Sequence, residues 1–92
     1  MSNLCKQIET FGKGIGSVPR YRIIQALAHG TKTVHELVTI TKLSQPAVSQ
    51  HLKLLKTYNL VSGTRKGQEI FYAINTAYTL ELLKNLVQEI KK

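Results

Sequence analysis

Gln45, Ser49 and Gln50 carry short polar side chains on one side of a segment whose other side is Val48, Leu52 and Leu55. Amide and hydroxyl groups of that reach suit base edges in a DNA major groove, and Gln can make two hydrogen bonds to adenine. Cations surround them. Residues 37–68 hold Lys42, Lys53, Lys56, Arg65 and Lys66 and no Asp or Glu. Such side chains neutralise phosphates, and an acid-free third of a chain points to a polyanion partner. Each feature also has a plainer reading as solvated surface. The combination is what carries weight. Enzymic chemistry has little to stand on, because five carboxylates are scattered along the chain and there is no Gly-rich phosphate loop, Ser-His-Asp set or metal cluster.

The elements that must hold these residues follow from periodicity. Leu4, Ile8, Phe11 and Ile15 make one helical stripe over residues 3–15, which Gly12, Gly14 and Gly16 weaken and end. Ser17 and Pro19 open a second helix, with Ile23, Ile24, Leu27 and Ala28 inward and Gly30 after its end. Thr33-Val-His-Glu36 has the form of a capping box and starts a short helix that runs out near Lys42. Ser44 caps the next helix, Pro46 lies in its first turn, and Asn59 suits its left-handed end. The period then changes. Leu60–Ser62 and Ile70–Ile74 read as strands, with Gly63-Thr-Arg-Lys-Gly67 between them as a basic hairpin tip. Residues 76–91 read as a last helix with Leu80, Leu83, Val87 and Ile90 as a narrow seam, widened by Leu82 and Leu86.

The expected fold is mainly α with a small β-hairpin, in the order α-α-α-α-β-β-α. Two short helices about the turn Thr41–Ser44 have helix-turn-helix spacing, and the hairpin would be a wing. Ninety-two residues, 42% of them hydrophobic, make one domain over 1–92. A net charge of +8 and a pI of 9.9 fit a nucleic-acid partner. The start of the chain lacks a signal-peptide pattern, no stretch is apolar enough for a membrane span, and the single cysteine, Cys5, cannot staple a secreted domain. The expectation is a cytoplasmic protein without membrane or cofactor. So small a domain gains from dimerisation.

Arg20-Tyr-Arg-Ile-Ile-Gln-Ala-Leu27, Thr33-Val-His-Glu-Leu37, Leu43-Ser-Gln-Pro-Ala-Val-Ser-Gln-His-Leu-Lys-Leu-Leu55, Tyr58-Asn-Leu-Val61 and Arg65-Lys-Gly-Gln-Glu-Ile-Phe-Tyr72, in that order, resemble the ArsR/SmtB-type winged-helix repressors. Asn59 stands where that family usually has Gly. The resemblance implies a homodimeric repressor that binds an imperfect palindrome in double-stranded DNA and is released by an inducer. It matches Ser44, Gln45, Ser49, Gln50 and His51 to the family's DNA-facing helix and Arg65 and Lys66 to its wing tip, in keeping with base reading by Gln45, Ser49 and Gln50. By their own placement beside that helix Lys42, Ser44, Lys53 and Lys56 are expected to meet phosphates, with His51, Arg65 and Lys66 as further phosphate contacts. Leu4, Ile8 and Phe11 of the first helix, with Leu80, Leu83, Val87 and Ile90 of the last, would form the dimer. The inducer is unknown.

The chain departs from the metal sensors of that family. Val38 and Ile40 occupy the positions of one cysteine pair, and residues 76–92 contain no His, Cys or Asp for a second site. Cys5, His29, His35 and His51 lie in separate segments, where zinc needs three or four converging ligands. No metal is expected. Cys5 reads as a small buried apolar residue, or as half of a disulfide across a two-fold axis. His29 suits a helix C-terminus, His35 suits solvent, and His51 reads as phosphate contact or buttress. Tyr21, Tyr58, Phe71 and Tyr72 read as core and hairpin packing. The rival to a specific regulator is a winged-helix module for non-specific DNA or RNA packing or for a protein partner.

Overall fold

The computed structural model describes residues 2–91. Its elements are α1 (Ser2–Ile15), α2 (Val18–Leu27), β1 (Lys32–Thr33), α3 (Val34–Thr41), α4 (Gln45–Thr57), β2 (Val61–Lys66), β3 (Glu69–Ile74) and α5 (Thr76–Ile90). The helix starts are where short polar side chains satisfy the first free N–H groups. Ser17, Ser44 and Asn75 accept from the backbone N–H of Arg20, Ala47 and Tyr78. The capping box is reciprocal: Glu36 Oε1 accepts from the Thr33 N–H at 2.9 Å, and Thr33 Oγ1 from the Glu36 N–H at 3.2 Å. Asn59, at φ 64°, ends α4 in the left-handed conformation and lets the Leu60 N–H reach the Leu55 carbonyl at 2.9 Å.

The core lies between α2, α3, α4 and the base of the hairpin. Ile23, Leu27, Leu37, Val48, Leu52, Leu55, Leu60 and Val61 are buried in one cluster. Each large aliphatic side chain removed from water contributes roughly 1.5–3 kcal/mol before entropy is counted. In α2 the inner position belongs to Ala26, while the expected Ala28 is exposed. Tyr21, expected in the core, is 53% exposed.

The hairpin is longer than its glycines suggest. β2 continues through Arg65 and Lys66, which pair with Ile70 and Glu69, so the turn is Gly67-Gln68. Gly67 holds φ 65° there, which the tight turn requires. Gly63 is a strand residue opposite Tyr72; a Cβ on it would lie 3.0 Å from Ile70 and 3.1 Å from Tyr72. The expected basic loop is thus a pair of strand positions. β1 adds a third, unexpected strand beside β3, giving the antiparallel order β1-β3-β2.

α1 and α5 pack on each other and bring the two extremities of the chain together. Leu4, Cys5 and Ile8 face Leu86 and Glu89 across an apolar groove. Gly14 is buried because α1 there presses on the hairpin base, and a Cβ would collide with Leu60 Cδ1. Arg20 ties the end of α1 to α2: its guanidinium donates to the carbonyls of Gly14 (3.1 Å) and Lys13 (3.0 Å). Asn75 does the same between α4 and α5, donating to the Asn59 carbonyl and side chain at 3.2 and 3.0 Å.

Candidate nucleic-acid interface

α3 and α4 are joined by Lys42-Leu43-Ser44. Lys42 takes φ 62° at the end of α3, and its N–H bonds the Val38 carbonyl at 2.9 Å. Buried Thr41 stitches the turn: its hydroxyl donates to the Leu37 carbonyl at 2.7 Å and accepts from the Leu43 N–H at 3.3 Å. Nothing in the polarity pattern marks Thr41 as buried. The turn fixes α4 with Val48, Leu52 and Leu55 against the core.

The outer surface of α4 is free. Gln45, Ser49, Gln50, Lys53 and Lys56 are all exposed, with no hydrogen bond to their side chains among the described residues. Ser44 is exposed as well. Its oxygen accepts from the Ala47 N–H, which leaves its own O–H to donate outward. Lys42, in the turn that leads into α4, is exposed as well. The structure therefore brings together the three proposed base readers and four of the proposed phosphate contacts.

Arg65 and Lys66 do not share a face. Adjacent strand residues point to opposite sides. Arg65 falls with Gly63, Tyr72 and Ile70 on the side turned to the core, and Lys66 falls with Phe71, over whose ring its Nζ sits at 5.7 Å. Gln68, at the turn itself, escaped the sequence reading and is exposed.

His51 is different from its neighbours. One residue on from Gln50 is about 100° around the helix, and the ring is half-buried. Its Nδ1 is buried with no hydrogen-bond partner among the described residues, and desolvation, then the positive charge of Arg20, hold its pKa below the ordinary imidazole value. The folded protein thus binds this proton less tightly than the unfolded chain. Stability from this group is present above about pH 6.5 and is lost as pH falls through the lowered folded value. Melting temperature should fall between pH 7.5 and pH 5.5, and less so in His51→Gln. Equal slopes in the two proteins would remove His51 from the account.

The family model for bacterial regulatory proteins of the arsR family matches residues 18–62, from α2 through α4 to the start of the wing. The transcriptional repressor SdpR of Bacillus subtilis is 31% identical over 80 residues, which cover 87% of this chain and 89% of that protein. The chain belongs to the ArsR family. A second relative is the transcriptional repressor SmtB of Mycobacterium tuberculosis, 39% identical over 62 residues covering 67% of this chain. That match takes in 46% of SmtB, so this chain spans about half of that relative. Among solved structures, the homodimeric winged helix-turn-helix DNA-binding domain Mb0332 of Mycobacterium bovis superimposes with a TM-score of 0.77 at 27% identity, over 96% of this chain and 84% of that one. The ArsR-family fold is therefore present from α1 to α5. The matched relatives are named as regulators of transcription, not as enzymes.

The residues present do not fit the metal sites that the resemblance called up. Val38 packs against the core cluster, and Ile40 is exposed but has no donor atom. Among the described residues no three His, Cys, Asp or Glu converge.

The proposed dimer residues divide. Leu80, Leu83, Val87 and Ile90 are 62%, 40%, 48% and 72% exposed, an apolar stripe along α5, while Leu82 is turned inward. Leu4 and Ile8 are half-buried along the groove beside Leu86. Phe11 packs on the core of its own chain. Cys5 is exposed, not buried as the plainer reading had it. No described helix is long and apolar enough to cross a membrane.

Proposed function

We propose that this chain is a cytoplasmic transcriptional repressor that binds a palindromic site in double-stranded DNA as a homodimer. The carrying observation is the exposed polar surface of α4: Gln45 at its start and Ser49 and Gln50 along its length are exposed, while Val48, Leu52 and Leu55 are buried. In this reading α4 enters the major groove. Lys42, Ser44, Lys53 and Lys56 hold the flanking phosphates, with the outer nitrogen of His51 beside them. The wing reaches the neighbouring backbone through Arg65 and Lys66. The unit acts as one domain over 1–92, with the α5 stripe as its seam and Leu4 and Ile8 at the margin.

Selection from a random duplex pool at near-physiological salt tests this. The expected product is a pair of inverted half-sites with centres about one helical turn, or a multiple of it, apart. Retention without enrichment, vanishing as salt rises, would leave only the electrostatic term and favour an architectural protein.

Gln50→Ala should cost about 1–3 kcal/mol on the selected site and relax base preference at one position. Uniform weakening on all sequences would reassign Gln50 to the backbone. Arg65→Ala and Lys66→Ala should each lower the salt slope of binding by about one unit. Because the two side chains occupy opposite faces of the wing, the losses should add in the double variant. An unchanged slope would take the wing off the contact surface.

A further inference from the structure

A half-open cavity of about 190 Å³ lies between α1, α2, α5 and the base of the hairpin. Its floor is Leu60 with Ile74 beside it; α1 contributes Phe11, α2 contributes Tyr21 and Ile24, and α5 contributes Thr79. None of its lining residues is charged. Leu60 is fully buried, Phe11, Ile24, Ile74 and Thr79 are half-buried, and Tyr21 stands exposed at the rim. We propose that this cavity is an effector site for a small, uncharged, apolar molecule of about one aromatic ring.

The size and the lining decide the class. A cavity of ~150 Å³ lined by Leu, Ile and Phe stays dry and takes up benzene. A charged or strongly polar ligand would lose its hydration here without a partner in return. A second copy of the chain is the other candidate occupant. The surface that awaits it is the convex stripe of Leu80, Leu83, Val87 and Ile90, and under two-fold symmetry such a stripe meets its own counterpart.

The position of the cavity supplies the coupling. Leu60 follows α4 immediately, its N–H is bound to the Leu55 carbonyl in α4, and its carbonyl accepts from the Asn75 N–H at 2.9 Å, just before α5. Phe11 and Thr79 belong to the two terminal helices, whereas Leu60 and Ile74 belong to the frame that seats α4 and the wing. A molecule wedged between them acts on both sets at once. Its effect on DNA follows from its different affinity for the DNA-competent and free arrangements. This rests on the proposed DNA-binding function, although occupancy of the cavity does not.

The experiment uses the full chain and fluorobenzene as probe, with benzoate as the charged control. Methyl resonances of Ile24 and Ile74 should shift saturably with fluorobenzene and not with benzoate. Thr79→Leu and, separately, Ile24→Phe should fill the cavity and abolish the shifts while both proteins remain folded and dimeric. Saturating probe should change the affinity for the selected DNA site by roughly fivefold or more, and the filled variants should lose that response. Absence of saturable shifts, shifts that survive both substitutions, or intermolecular contacts placing a partner side chain against Ile24 and Ile74 would each overturn the site. Saturable binding with no change in DNA affinity would overturn its role as an effector site. Probe binding in a protein that selects no DNA sequence would instead indict the proposed function and leave the cavity's ligand class standing.

Discussion

Leu83→Glu is expected to turn the protein into a folded monomer with DNA affinity lower by roughly 10²–10⁴-fold, the range by which tethering two binding units raises avidity. Leu83 is 40% exposed in the single chain and sits mid-stripe between Leu80 and Val87. A carboxylate there is harmless in water and costly once a second stripe covers it. The helical signal in circular dichroism should survive, and sedimentation should report the monomer mass. A dimer with wild-type DNA affinity would show that α5 is not the seam.

The second large effect is on stability. Leu52→Ala should cost about 2–5 kcal/mol, because Leu52 is 1% exposed amid Val48, Leu55 and Ile23. Small domains have only about 5–15 kcal/mol in total. Each 1 kcal/mol moves the melting point of a domain of this size by roughly 4–8 °C. Lys53→Ala, one residue on and exposed, should shift stability by no more than about 0.5 kcal/mol and instead weaken DNA binding. Calorimetry of the pair separates the two faces of α4. If Leu52→Ala melted with the wild type, α4 would not be seated as described.

Much of the helix-turn-helix was legible because its signals are local. A cap announces itself within four residues, as Thr33 and Glu36 do. The 3.6-residue period of Val48, Leu52 and Leu55 separates buried from exposed sides without any knowledge of neighbours. The α5 stripe was legible for the same reason, since its apolar face is wider than one chain covers.

What escaped depends on residues far apart in sequence. Gly63 looks like a turn residue, but its place is set by Tyr72 and Ile70 across the ladder. Two-residue β1 has no period to detect and exists only because β3 offers it an edge. Gly14 reads as a weak point in a helix; its actual constraint is Leu60, 46 positions later. Ala26 and Ala28 are indistinguishable by type, and the packing of α2 on α3 chooses between them. Arg20 reads as one more surface cation until the end of α1 arrives beneath it. Tyr21 reads as core by its type, yet it stands 53% exposed at the rim of the cavity between α1, α2 and α5.

The pairing of α1 with α5 has a consequence for how the chain reaches its fold. Contacts of α2 with α3, of α3 with α4, of α4 with β2 and of β2 with β3 join segments that are near one another in sequence, whereas α1 meets α5 only by closing nearly the whole described chain into a ring. Closure entropy rises with the length of the loop, and early nuclei favour short loops. The helix-turn-helix is therefore the part expected to condense first, with α1 and α5 joined afterwards and the proposed second copy recruited last. Newly made chains would then carry a formed helix-turn-helix before they carry a partner, and the slow, concentration-dependent phase of refolding would belong to α1 and α5.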